Sequence, residues 1–407
     1  MITPAYSPTA TERVLPRMAL DFTTGVLDSR VTVTRALNTA TRINSSGIVE
    51  TVNANLPRFD YDSATLLPKG LLIEESRTNL QTYSAGAFNT QYTKAGSPTV
   101  SDNSASGIGG PLTASAVTGA AVGDYIYRDA TTVITTQYTR SIYVSNVNAT
   151  QSRLVVRSSS SACDVYLNWS GATLSSLSVS AGAASFVDCG NGVYRVILVY
   201  TALETTDRLR ITPASVVGSA TINIYGSQLE AGAFATSYIP TTTTSLTRNA
   251  DVVSMTGTNF SDWYNASEGT FSGTAQIAQL TGTFPIWFSA NDGTLDNFLS
   301  CYAFNPSSPN MVCISQVGAV QQYLGVPGPV TVNTKTNVSF AYKSSSLASA
   351  MNATGLQSAV SGTIPTVDRL TLGSSTSNFF LNGHLQKINY WPQRLTNNEV
   401  QAFSKVG

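Results

Sequence analysis

The stretch Cys189-Gly-Asn-Gly-Val-Tyr-Arg-Val-Ile-Leu-Val-Tyr200 decides the fold class. Its second half is rich in the β-branched and aromatic residues that fit a pleated surface. Arg195 interrupts it, and it falls far short of the ~20 apolar residues of a membrane span. Gly190-Asn-Gly192 tolerates positive φ and predicts a hairpin turn leading into that strand. Short runs of strand character recur in Tyr138-Thr-Arg-Ser-Ile-Tyr-Val144, Arg153-Leu-Val-Val-Arg157 and Thr221-Ile-Asn-Ile-Tyr225. Leu381-Asn-Gly-His384 predicts a second hairpin, with Asn382-Gly383 as its two-residue turn. Helical periodicity appears only at the end. There Leu395, Val400 and Phe403 surround Thr396, an N-cap with Glu399 at capping-box spacing.

The expectation is an all-β chain: a small N-terminal β module over residues 1–84, two antiparallel β-sandwiches over 85–240 and 241–407, and one short C-terminal helix. Composition sets the boundaries. An Arg- and Glu-containing start gives way near Leu80 to the Gly/Ser/Ala-rich stretch 84–124, and Thr241-Thr-Thr-Thr-Ser245 follows Pro240.

The chain has 407 residues, with 23 basic and 23 acidic side chains. Charged residues are 11% of it, against about 25% in an average soluble protein. Ser (50) and Thr (52) fill the gap, while 42% hydrophobic content supplies real cores. Neutrality argues against nucleic acid, which needs a basic stripe, and against anionic membrane surfaces. The opening Met1-Ile-Thr-Pro-Ala-Tyr6 lacks the basic and apolar parts of a signal peptide, so synthesis in a cytosol is expected. Cys163, Cys189, Cys301 and Cys313 are too widely spaced for a zinc site. Cys163 with Cys189 and Cys301 with Cys313 are possible bridges; free buried thiols are the preferred reading.

The single histidine, His384, follows a predicted turn and reads as a surface or strand-edge residue, with no nucleophile-elbow motif around any serine. Asp60 with Asp62 and Glu74 with Glu75 are the acid pairs closest in sequence. Adjacent strand residues point to opposite faces, which removes Glu74 and Glu75 as a catalytic pair. All four acids read as partners for Arg30, Arg35, Arg42, Arg58 and Arg77, pinning a unit with a thin core. No catalytic residue and no cofactor is expected. Asp292-Gly-Thr-Leu-Asp296 offers two acids toward Ca²⁺, far fewer oxygens than a cage of 6–8, so no metal is expected either. Sugars stack on exposed aromatic faces, and most sandwich aromatics are core. Trp169 is the leading exception, because Asn168-Trp-Ser-Gly171 reads as a strand end entering a turn.

The N-terminal phrases Leu20-Asp-Phe-Thr-Thr-Gly-Val-Leu-Asp-Ser-Arg30, Asn55-Leu-Pro-Arg-Phe-Asp-Tyr-Asp62 and Gly70-Leu-Leu-Ile-Glu-Glu-Ser-Arg-Thr-Asn-Leu80 resemble a module of bacteriophage and prophage virion surface proteins, tail-fibre-like or head-decoration-like. The exit Gln228-Leu-Glu230 and Ala235-Thr-Ser-Tyr-Ile-Pro-Thr241 looks like the end of a carbohydrate-binding-module-like jelly roll. The closing Phe380-Leu-Asn-Gly-His-Leu-Gln-Lys-Ile-Asn-Tyr-Trp391 and Arg394-Leu-Thr-Asn-Asn-Glu399 is similar to the end of laminin-G-like or concanavalin-like sandwiches.

The resemblance implies a non-enzymatic virion protein, a tail-fibre or receptor-binding component on the virion surface, made in the host cytoplasm. Its partners would be other virion proteins and a host cell-surface glycan, and its oligomer a homotrimer. The N-terminal module would be the attachment side, dispensable for folding of the two sandwiches. The alternatives are a capsid decoration or head-fibre protein with a mainly structural role, and a polysaccharide depolymerase. Trp169, Tyr166, Tyr143 and Tyr127 would form the sugar platforms, with Asn168 and Arg157 bonding hydroxyls.

Overall fold

Alternation of side chains across the pleat builds two sandwiches, each with one continuous apolar core. The computed structural model describes residues 15–37, 40–105, 108–109, 112–157, 161–216, 218–280, 284–304, 309–376 and 379–406.

In the middle sandwich, the front sheet runs in the order Thr173–Ala181, Ser161–Ser170, Gln151–Arg157, Thr206–Thr212, Tyr125–Thr131, Thr93–Ala95. The back sheet runs Ala183–Asp188, Val193–Thr201, Gln137–Asn146, Ala220–Ala231, Ala114–Gly119, Thr99–Ala105. Leu154, Val165, Leu209 and Ile126 from the front meet Ile142, Val196, Leu198 and Ile224 from the back. The expected turn at 190–192 joins Ala183–Asp188 to Val193–Thr201, and Gly190, Asn191 and Gly192 all have positive φ.

The last sandwich pairs an eight-stranded with a seven-stranded sheet, and residues 18–73 contribute to both. Met18–Asp21 and Pro68–Ile73 pair with Gly383–Trp391, and Phe59–Tyr61 extends that sheet beyond Pro68–Ile73. Thr32–Thr34 adds to the opposite sheet beside Val252–Thr256. Met18, Leu20, Phe22, Leu71 and Ile73 are therefore part of the same core as Phe271, Trp287, Phe340 and Ile388. The hairpin Ala40–Ile43/Val49–Val52 stays outside this core. Its Val49 joins Tyr143, Cys189, Val193 and Tyr238 in a cluster that includes back-sheet residues.

The segment 381–384 differs from the expected hairpin. Asn382 does take positive φ, 45°. Yet Phe379–Phe380 pairs with Ser374–Ser375, whereas Gly383–Trp391 lies between Glu268–Ile277 and Pro68–Ile73. The turn is thus a corner between two sheets. Gly383 is required there, because a Cβ would sit 2.2 Å from the Gln276 carbonyl oxygen.

The terminal helix spans Asn397–Phe403. Its capping box closes through Glu399 N to Thr396 Oγ1 at 3.3 Å and Thr396 N to Glu399 Oε2 at 2.7 Å. Val400 and Leu395 are buried against Trp391. Two further helical turns, Phe88–Gln91 and Thr258–Ser261, each bury one phenylalanine.

Candidate functional site

The register of the front sheet sorts the sugar-platform candidates. Cross-strand neighbours share a face, so Asp164, Val155, Arg210 and Tyr127 form one outward row. Tyr166, Arg153 and Thr212 form the next, which continues toward Tyr125. Asn168 opposite Gln151 extends the surface at one end, and the Arg157, Arg208 and Asp129 positions at the other. The four expected residues Tyr127, Tyr166, Asn168 and Arg157 are half-buried or exposed on this face.

Its chemistry is a ladder of stacked arginines and tyrosines. Arg208 lies 4.2 Å from the Tyr127 ring centroid, Arg210 5.2 Å from Tyr125 and Arg153 4.9 Å from Tyr166. Asp129 holds Arg208 through bonds of 2.7 and 2.8 Å, and Asp164 holds Arg153 in the same two-pronged way. These bonds raise both arginines and, at Asp164, outweigh partial burial to lower the carboxyl. Asn168 accepts from Gln151 at 2.8 Å and donates to Ser176 and Ser178. Tyr125, Arg153, Arg208 and Arg210 were missed at the sequence level; only their alternation with Ile126, Leu154, Leu209 and Ile211 marked them.

Trp169 and Tyr143 are elsewhere. Trp169 points into the core, its ring edge-on to Tyr194 and its Nε1 donating to Ser152 Oγ at 3.1 Å. Its position beside Asn168 on one strand forces this, because successive residues face opposite ways. Tyr143 belongs to the back sheet, buried beneath Arg195, and burial pushes its hydroxyl up to about 12.

The charged residues of the N-terminal segment divide into local and long-range pairs. Arg30 bonds Asp28, Arg42 bonds Glu50 and Arg77 pairs with Glu75. Arg35 and Arg58 instead reach Asp251, in the 241–407 segment of the chain. Arg58 also bonds Glu74 at 2.8 Å, and Arg248 lies 3.4 Å from the same carboxylate. All five side chains are nearly inaccessible. Burial opposes the charge on Glu74, but Arg248 and Arg58 outweigh it and hold the carboxyl well below its ordinary range. Burial pulls Arg35 and Arg248 down. Asp62 caps its own turn through Ala64 N and Thr65 N.

Asp60 has a different partner. Its Oδ2 lies 2.8 Å from Nε2 of His384, and its Oδ1 accepts from Ile43 N. His384 is not at a surface or an edge: it is buried in a strand with neighbours on both sides. Burial first, then Lys69, lowers its pKa, so a neutral ring donates from Nε2 to the carboxylate. No hydroxyl or thiol among the described residues bonds this ring.

At the Ca²⁺ candidate, Asp292 accepts from Thr294 N, Thr294 Oγ1 and Asn297 Nδ2, using its oxygens within its own loop. Asp296 donates its backbone N–H to Thr294 Oγ1. No group of three or more His, Cys, Asp or Glu among the described residues is arranged to hold a metal. The four cysteines are free and buried. Cys301 and Cys313 face each other across adjacent strands with sulfurs 2.8 Å apart.

No family model matches the chain, and no curated protein matches it in sequence. Among solved structures, the CBM40 of the Ruminococcus gnavus IT-sialidase bound to α2,3-sialyllactose is similar at 12% identity and TM-score 0.29, over 34% of this chain and 84% of its own. Domain 4 of AbnA, a GH43 extracellular arabinanase from Geobacillus stearothermophilus in complex with arabinotriose, gives 12% and 0.32 over 42% and 82%. The K499G mutant of the NanB sialidase from Streptococcus pneumoniae gives 12% and 0.28 over 38% of this chain, which covers only 26% of that enzyme. These are partial likenesses at low superposition scores, and they bring neither an activity nor a ligand to this chain.

Proposed function

We propose that the chain is a non-enzymatic, glycan-binding surface protein, and that the outward face of the front sheet is its glycan site. The observation that carries this reading is the outward row of Tyr166 and Arg153, which leads toward Tyr125, beside the parallel row ending in Arg210 and Tyr127. Tyr166 and Tyr125 are three strands apart, about 14 Å at the usual strand spacing, which suits a short oligosaccharide lying across the sheet. The rings offer apolar faces, and arginine, Asn168 and Gln151 offer bonds to hydroxyls. Single-site affinity of such an open face is weak, about millimolar to micromolar, and repeated copies on a particle would raise it by avidity.

The setting on a virion, as a tail-fibre or receptor-binding component acting as a homotrimer, rests on the resemblance of the phrases in residues 20–80. The test is binding of the purified protein to a glycan array and to host cells, beside Tyr127→Ala and Tyr166→Ala. Loss of binding in both folded variants, with no new reducing ends from bound polysaccharide, supports the reading. Unchanged binding in both variants refutes the site, and new reducing ends refute the absence of catalysis.

A further inference from the structure

The two cysteine pairs that the sequence offers as bridges differ in the fold. Cys163 packs in the core of the middle sandwich, whereas Cys189 belongs to a separate cluster with Val49 and Tyr143. The Cys163 thiol meets the Ala183 carbonyl and the Cys189 thiol the Val187 carbonyl. Cys301 and Cys313, by contrast, sit directly opposite each other on Phe298–Phe304 and Asn310–Val317. Both point into the core of the last sandwich, and neither reaches solvent.

Opposed residues of an antiparallel pair have Cα atoms about 4.5–5.5 Å apart, within the span of roughly 4.4–6.8 Å that a disulfide bridges. The two sulfurs are 2.8 Å apart, so closing to a bond of about 2.05 Å takes a movement of less than about 1 Å. Neighbouring strands hold this approach, because Phe298–Phe304 is flanked by Ile286–Asn291 and Asn310–Val317 by Val320–Pro329. Side-chain rotation is enough, and no strand has to move.

We infer that Cys301 and Cys313 are a disulfide site: thiols in a reducing medium, and a cross-strand bond that staples the last sandwich in an oxidising one. A small disulfide such as oxidised glutathione supplies the oxidant. One cysteine thiolate attacks it and releases one glutathione thiolate. The second attacks the mixed disulfide so formed, closes the S–S bond and releases the other. Both cysteine S–H bonds are lost, and their protons end on the two glutathione thiols. Burial raises the Cys301 thiol well above its ordinary value, so this exchange proceeds through local opening of the sandwich.

The experiment treats the whole protein, purified reduced, with oxidised glutathione at about pH 8.5 in subdenaturing urea, which admits local opening. The product is denatured, alkylated with iodoacetamide and cut with chymotrypsin, which cleaves after Tyr302 and Phe304 between the two cysteines. Mass spectrometry is expected to find Cys163 and Cys189 alkylated, and Cys301 joined to Cys313 in cross-linked peptides that separate on reduction. Closing the 13-residue segment 301–313 constrains the unfolded chain and should raise the melting temperature by about 5–10 °C. Cys313→Ala loses both the cross-link and the rise, while Cys163→Ala keeps both. Should Cys313→Ala fail to fold, the cross-link in the unaltered protein and its reversal by reduction decide the question. Alkylation of all four cysteines after oxidation, a glutathione adduct retained at Cys301 or Cys313, or a cross-link to Cys163 or Cys189 overturns the inference. An oxidised protein that melts no higher than the reduced one overturns the staple.

Discussion

Arg58 and Asp251 are 193 positions apart in sequence, yet Arg58 Nε lies 3.2 Å from Asp251 Oδ1 and Nη2 bonds the other carboxylate oxygen. Neither side chain reaches solvent appreciably. Asp251 Oδ2 also accepts from Glu74 N at 3.0 Å, and Asp251 N donates to Glu74 O at the same distance. The start of the last sandwich is thereby fixed to the N-terminal segment by charge and backbone together.

Removing one partner leaves the others buried and uncompensated. Arg58→Met is expected to cost about 3–5 kcal/mol, measured by chemical denaturation. Arg30→Met, which breaks only the half-exposed pair with Asp28, should change stability by less than about 1 kcal/mol. Equal effects of the two would contradict the structure.

Truncation gives a second test. Deleting residues 1–80 removes Met18–Asp21 and Pro68–Ile73 from beside Gly383–Trp391, and Thr32–Thr34 from beside Val252–Thr256. It also takes Met18, Phe22, Leu71 and Ile73 out of the core. The last sandwich should then lose cooperative unfolding, or unfold at a clearly lower temperature in calorimetry. A truncated chain that keeps both sandwiches at full stability would show the N-terminal strands to be dispensable.

Trp169→Ala and Tyr127→Ala should separate stability from binding. Trp169 fills the core, and its loss is expected to cost about 3–5 kcal/mol. Tyr127 is half-buried on the outward face, and its loss should cost no more than about 1 kcal/mol while reducing glycan binding. The reverse pattern, measured by denaturation and array binding, would mean that the strand register is wrong.

Stability should fall in two stages with acid. Burial lowers the pKa of His384 below its ordinary 6.5, so the folded state binds fewer protons there than the unfolded chain. Its contribution is complete above pH 6.5 and is lost as pH falls through the folded value. Glu74 and Asp28, both lowered, act in the same direction from about pH 4.5 downward, each contribution disappearing as pH falls toward its folded value. The melting temperature should therefore decline as pH falls below 6.5, ahead of the carboxylates, and His384→Gln should flatten that part of the curve alone. A wild-type curve flat over this range would exclude a buried neutral histidine.

Burial raises Cys163 to about 12 and Cys189 to about 11, and also places Cys301 well above its ordinary value. The thiolate fraction is then negligible near neutrality. Iodoacetamide should leave the folded protein largely unmodified at pH 7.5 and label all four cysteines in denaturant, read by mass spectrometry. Rapid labelling of the folded protein would show that these sites open.

The sequence by itself determined the β class, several strands, the turn at 190–192 and the capped terminal helix. These are local: they follow from which residues fit a pleat, tolerate positive φ or bond a neighbouring amide. Local pattern also separates Trp169 from Asn168, since neighbours on a strand face opposite ways, but it does not say which face is the core. Only the pairing of Gln151–Arg157 and Ser161–Ser170 with Thr206–Thr212 and Tyr125–Thr131 decided that Tyr127 and Tyr166 look outward. Tertiary structure likewise gave Arg58 its partner Asp251 and His384 its partner Asp60. Charge alone makes every arginine a possible partner of every acid. The choice is made by backbone strands that close sheets across hundreds of residues, because buried charges persist only where that closure supplies an opposite charge and hydrogen bonds together.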